Sequence, residues 1–155
     1  RNIGTHFADL ASRKIELSSF SWDQGWNDRC DADMVADYVK NMANFIKFVR
    51  KDLGTPNLPF VIADTGQLGE KTRGDMAKLC EIQLSFGDPA KHREFAGTVA
   101  SVGTRGSARS LGQSPSSFDY HSNHNGENHY LIGEAMGKAM LELLKSKSAG
   151  KGELR

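Results

Sequence analysis

The sequence predicts an α/β domain built on a parallel sheet, and three observations carry that prediction. Apolar residues recur at three- and four-residue spacing over residues 31–53 and again toward the C-terminus, as amphipathic helices require. The run Pro59-Phe-Val-Ile-Ala63 is continuously apolar between turn residues, which fits a strand buried on both faces. Segments of strand character alternate with the helical ones, the order that places helices over both faces of a sheet. A chain of 155 residues is long enough for one core, so it reads as a single domain over residues 1–148 with a disordered tail at 149–155.

The elements follow in order. Ile15 to Trp22 is rich in β-branched and aromatic residues, sets Ile15, Leu17 and Ser19 on one face, and runs into Asp23-Gln24-Gly25, so it is the first expected strand. From Asp31 to Leu53 the residues Met34, Val35, Tyr38, Val39, Met42, Phe45, Ile46 and Val49 form one helical stripe, stopped by Gly54 and Pro56. The apolar run to Ala63 is the second strand. A second helix is expected over Asp75 to Phe86, with Gly87 as its stop, and a third strand over Phe95 to Val102. Gly103 to Ser117 is rich in Gly, Pro, Ser and Arg and reads as a long irregular loop, a kind that is often functional. The last helix is expected from about Asn125 to Lys147, its stripe formed by Tyr130, Leu131, Ala135, Met136, Ala139, Met140, Leu143 and Leu144.

Composition removes several classes of function. Twenty basic and nineteen acidic residues give a net charge of +1, so no bulk field recruits nucleic acid or an anionic membrane surface. No apolar run approaches a membrane span, no signal-peptide pattern is visible, and the compartment stays open. Cys30 and Cys80 lack C-x-x-C spacing and read as buried thiols, with pairing as the other option.

In open α/β sheets, ligands bind beyond the carboxyl ends of the strands. Two segments are expected there. In Trp22-Asp-Gln-Gly-Trp-Asn-Asp28, Gly25 frees the backbone to turn, and Gln24 and Asn27 offer amide donors for a developing oxyanion; the bland alternative is a turn capped by Asn27 and Asp28. In Phe118 to Tyr130, a histidine on a loop before a helix suits general-base work, with Asp119 as the nearest carboxylate. Zinc on His121, His124, Glu127 and His129 is a competing reading, and solvated capping groups are another. No G-x-S-x-G elbow exists; Ser114 follows Gly112-Gln113 but has no strand before it and Pro115 after it, so it reads as loop.

Trp22-x-Gln-Gly-x-Asn-Asp28, the helix ending Val49-Arg-Lys-Asp-Leu-Gly54, Leu58-Pro-Phe-Val-Ile62 and the block Tyr120-His-x-Asn-x-Asn-x-Glu-x-x-Tyr-Leu-Ile-Gly-Glu-Ala-Met-Gly-Lys-Ala-Met140 together resemble the SGNH-hydrolase superfamily, specifically sialate O-acetylesterase-like carbohydrate esterases. The resemblance runs from Ile15 to Leu144 and implies a three-layer α/β/α flavodoxin-like fold and a serine esterase acting on acylated carbohydrate, with no cofactor. It implies that His121 is the catalytic histidine and that Asn27, with Gln24, forms the oxyanion hole. Asp119 stands one residue closer to the histidine than the family's usual aspartate, whose position Phe118 occupies. The family's serine lies in a Gly-x-Ser block after the first strand of its domain, so the resemblance implies that this chain is the C-terminal portion of a longer enzyme and that a preceding segment completes it. Trp26 is a candidate for stacking on a sugar ring, and Trp22 for the core. The alternative function is a noncatalytic carbohydrate-binding or interaction remnant of the same fold.

Overall fold

The computed structural model describes residues 3–152, without the side chains of residues 3, 119, 120 and 148–152. Three parallel strands, β1 (Phe20–Trp22), β2 (Phe60–Ala63) and β3 (Val99–Val102), lie in the order β1-β2-β3. Their register pairs Phe20 with Phe60 and Phe60 with Val99. A four-residue helical turn, α1 (Ile3–His6), precedes them. Helix α2 (Ala32–Asp52) connects β1 to β2, α3 (Gly74–Ser85) connects β2 to β3, and α4 (Gly126–Gly152) follows the loop after β3.

The pleat sorts the core. Successive residues of a strand face opposite sides. Phe60 and Ile62 therefore join Val35, Tyr38, Met42 and Ile46 of α2 and Leu79 of α3 on one face. Val61 and Ala63 meet Ile132, Met136, Met140 and Leu143 of α4 on the other. All four residues of β2 are buried, which is why that run carries no polar alternation. The fold is thus α/β, with helices on both faces of a small parallel sheet. Asp31 caps α2 by accepting from the amides of Asp33 and Met34 at 2.9 and 3.2 Å. At the amino ends of the strands, the buried Arg50 donates to the carbonyls of Leu58 and Thr98 and so ties β2 to β3.

Several expected boundaries move. The first strand begins at Phe20 rather than Ile15: Ile15 and Leu17 are 46% and 44% exposed, and pairing starts where β2 starts, at Phe60. The third strand begins at Val99, because Arg93–Phe95 forms a 3₁₀ turn that drops Phe95 into the core. In α4 the buried stripe includes Ile132, while Tyr130, expected on that stripe, is 69% exposed. That helix also continues past Lys147 to Gly152, into the expected tail, whose residues 153–155 lie outside the described residues. The two cysteines do not pair; Cys80 is buried as expected, but Cys30 is exposed. Among the described residues no helix is long and apolar enough to cross a membrane.

Candidate functional site at the carboxyl edge of the sheet

Three loops leave the carboxyl ends of the strands, and buried side chains hold them in place. The first, Asp23 to Asp28, is fixed by Gln83, a fully buried residue of α3. Its Nε2 donates to the Gln24 carbonyl at 2.8 Å and to the Tyr38 hydroxyl at 3.0 Å. Its Oε1 accepts from the Thr65 amide at 2.8 Å and the Thr65 hydroxyl at 2.6 Å. One side chain thus joins the loops after β1 and β2 to helices α2 and α3. Gly25 sits in this junction, where a Cβ would come within 2.6 Å of Thr65 Oγ1 and 2.7 Å of Gln83 Nε2. The glycine of the Gln24-Gly25 pair is required by this close approach.

The second and third loops are tied by Asp64, which is buried beyond the end of β2. Its Oδ1 accepts from the Thr104 amide at 2.6 Å and the Thr104 hydroxyl at 2.7 Å, and its Oδ2 lies 3.8 Å from Arg105 Nε. Gly66 completes the contact, since a Cβ there would meet Thr104 Oγ1 at 2.5 Å. Farther along, Arg109 makes a two-pronged ion pair with Glu127 in the first turn of α4, both contacts at 2.9 Å. Asn125 caps α4 through Oδ1 to the Asn128 amide at 3.0 Å, while its Nδ2 donates to the Gln113 carbonyl and to Ser114 Oγ. Ser114 in turn donates to the Ser110 carbonyl at 2.9 Å, so its hydroxyl serves the loop's own structure.

The expected site residues fall into two places. Gln24, Trp26 and Asn27 share the first loop. Gln24 Nε2 donates to Asp28 at 2.9 Å, Asn27 is exposed, and the Arg29 guanidinium lies 3.2 Å above the Trp26 ring, covering one of its faces. His121 lies on the turn before α4, exposed, with its ring 5.4 Å from that of His124. The side chain of Asp119 lies outside the described residues. This turn is unusual: Ser122, Asn123 and His124 have φ of 49°, 54° and 56°, three successive residues in the left-handed region. From the last block, His129 acts by its charge on the first loop. Although Asp23 is exposed as a residue, desolvation by the surrounding loops pushes its carboxyl above the ordinary range, the charge of His129 holds that rise back, and Asp64 adds to it. Among the described residues, no three His, Cys, Asp or Glu side chains converge to hold a metal.

Sequence reasoning missed Gln83, Asp64, Thr65 and Thr104. Signals existed: Gln83 stands four residues after Leu79 on the inward face of a helix, and Asp64-Thr-Gly66 follows directly on a buried strand. A polar residue on an apolar stripe, and a carboxylate at a strand's carboxyl end, both point to this edge.

These features define an α/β domain with a polar site at the carboxyl edge of a parallel sheet. A family model described as carbohydrate esterase, sialic acid-specific acetylesterase, matches residues 6–141, and the chain belongs to that family. Neither a curated protein nor a solved structure matches it.

Proposed function

We propose that the protein is a sialate-type O-acetylesterase that hydrolyses acyl esters on sugars by a serine mechanism within an SGNH-type flavodoxin-like domain. The observation that carries this reading is the fixed Gln24-Gly25 turn. A fully buried glutamine anchors its backbone, and no larger residue fits at Gly25, so the amide groups beside it are held in advance of any ligand. In the proposed reaction a serine hydroxyl attacks the ester carbonyl and His121 takes its proton, with Asp119 orienting the imidazole. Asn27 and Gln24 donate to the oxyanion, the sugar leaves with the proton from His121, and water then releases the acid from the acyl-enzyme. Ser114, the chain's best-placed candidate by sequence, is engaged by Ser110 and Asn125, which supports the expectation from the family resemblance that the nucleophilic serine is supplied from outside residues 1–155.

The test is acetate release from an aryl acetate and from O-acetylated sialic acid, using protein expressed with the sequence its gene encodes ahead of Arg1. Turnover is expected, and His121→Ala should lower kcat by at least about a hundredfold, the lower end for a general base. Full turnover in that variant would remove His121 from the role. Loss of turnover in Ser114→Ala would move the nucleophile to the loop. Absence of hydrolysis in the unsubstituted protein would favour the noncatalytic carbohydrate-binding alternative.

A further inference from the structure

A cavity of about 440 Å³ opens at the amino edge of the sheet, across from the edge that carries Gln24 and Asn27, and lies in the range of about 300–1,000 Å³ typical of small-ligand sites. Its lining includes Lys47, Arg50, Lys51, Pro56, Glu94 and Phe95. Arg50 is only 7% exposed. Its Nε and Nη2 are spent on the carbonyls of Leu58 and Thr98, and Nη1 takes no part in those bonds. Carbonyls satisfy N–H groups but bring no net charge, and among the described residues no carboxylate pairs with this guanidinium. Burial accordingly lowers its pKa, with no acid beside it to raise it. Buried charges are normally met by opposite ones, so an unanswered guanidinium on a cavity wall marks a place for an anion. Thr55, just before Pro56 in the chain, adds a buried hydroxyl with no hydrogen bond among the described residues.

The lining also sets the charge of that anion. Glu94 is its one acid, and it is taken by Lys47 at 2.7 Å. Lys51, exposed in the last turn of α2, makes no ion pair among the described residues. A cation suits the negative end of a helix. Here, however, the carbonyls of Val49, Arg50 and Lys51 already accept from the amides of Leu53, Thr55 and Gly54, so the helix end does not consume the charge of Lys51. Two positive charges are left over, Arg50 and Lys51, and they match a dianion. A phosphate monoester carries a charge of about −1.5 to −2 at neutral pH, whereas a carboxylate carries only one. The cavity is wide for a phosphoryl group alone, and Pro56 offers apolar surface to an organic remainder. We propose that this cavity binds a small phosphate monoester, with the phosphoryl oxygens on Arg50 and Lys51 and the organic part against Pro56. The site uses none of the residues of the proposed ester chemistry, and it stands whether or not that reading does.

The test is calorimetric titration of the chain, at fixed ionic strength, with phenyl phosphate, inorganic phosphate and acetate. Phenyl phosphate should bind most tightly, and acetate about tenfold or more weakly than it, as loss of a hydrogen bond to a charged group implies. Arg50→Lys keeps the charge but loses the planar fork, and should weaken phenyl phosphate by about tenfold. Lys51→Gln changes an exposed side chain and should weaken it by about threefold, within the range of an exposed ion pair. Lys71→Gln, exposed in the 3₁₀ turn Gly69–Lys71 beyond the carboxyl end of β2, should leave the affinity unchanged. Circular dichroism establishes that each variant folds, and Lys51→Gln alone decides the matter if Arg50→Lys does not. No binding of phenyl phosphate, acetate binding as well as it, or indifference to Lys51→Gln overturns the site. A loss in Lys71→Gln as large as in Lys51→Gln moves the binding to the other edge of the sheet and overturns it equally. Inorganic phosphate binding as tightly as phenyl phosphate overturns the monoester.

Discussion

Replacing Gln83 by leucine probes the junction on which the proposed oxyanion loop depends. Leucine is close in volume to glutamine and keeps the apolar contacts, so the cost falls on polar groups left behind. Four bonds vanish: two from the amide of Gln83, to the Gln24 carbonyl and the Tyr38 hydroxyl, and two to its oxygen, from the Thr65 amide and hydroxyl. Part of the loss is recovered, because Tyr38 still donates to the Gln24 carbonyl at 3.3 Å and the Thr65 hydroxyl can turn to another acceptor. The Thr65 amide has no such freedom, and Thr65 is buried. At about 1–3 kcal/mol for each buried polar group left unpaired, one full loss and one partial loss cost about 3 kcal/mol. With a urea dependence of about 2 kcal/mol per M, the unfolding midpoint should fall by about 1.5 M. A shift under about 0.3 M would refute the claim that Gln83 holds the loops together. Gln83→Glu sharpens the test, since the carboxylate can still accept from Thr65 but cannot donate to Gln24 or Tyr38. Burial raises the pKa of such a group, so its deficit should be largest at neutral pH and shrink on acidification as the carboxyl gains a proton to donate.

Three further outcomes are expected. Gly25→Ala forces a methyl against Thr65 Oγ1 and Gln83 Nε2, and should lower stability by about 1–3 kcal/mol in thermal or urea unfolding; an unchanged midpoint would contradict the close approach. Asp64→Ala removes the acceptor for both Thr104 donors, so trypsin should cut after Arg105 or Arg109 several-fold faster, while cleavage after Lys40 in α2 stays slow. Asp23 has a raised pKa in the folded state, so the folded protein binds its proton more tightly than the unfolded chain does. Its contribution to stability falls as pH rises from the ordinary carboxylate range of about 4 through the raised value, and the penalty persists above it. Asp23→Asn should therefore raise the melting temperature at neutral pH, with the two proteins converging as pH falls below about 4. Equal melting temperatures at pH 7 would count against desolvation of that carboxyl, whose residue is exposed as a whole.

What could be read from the sequence, and what could not, divides along physical lines. Helix α2 was legible to within a residue at each end because one periodic stripe, an Asp cap and a Gly-x-Pro stop all agree. Strand β2 was legible because burial on both faces leaves an unbroken apolar run. The strand ends at Ile15 and Phe95 were not, since strand length here is set by the neighbouring strand's register, a nonlocal property. The first loop was recognisable from Gln24-Gly25 because a glycine at a close contact leaves a trace in sequence. Its partner Gln83 lies 59 residues away and shows only as a polar residue on an apolar face. The meeting of Gln67 with Asn123 was invisible for the same reason: both are ordinary loop residues until the fold brings their loops together to line one cavity.

The turn from Ser122 to His124 has a handedness opposite to that of the helix it leads into. For L-residues each such position costs roughly 1–2 kcal/mol, least for asparagine and glycine, so the turn acts as a chirality filter on what mutation can place there. Branched residues would be rejected whatever their polarity, and glycine would be accepted at the expense of a more mobile backbone. The imidazole of His121 therefore sits beside a segment whose tolerated alphabet is set by backbone geometry before chemistry is considered. An engineer seeking stability would relax this turn first, and the proposed proton transfer is where such a gain would be felt as a loss.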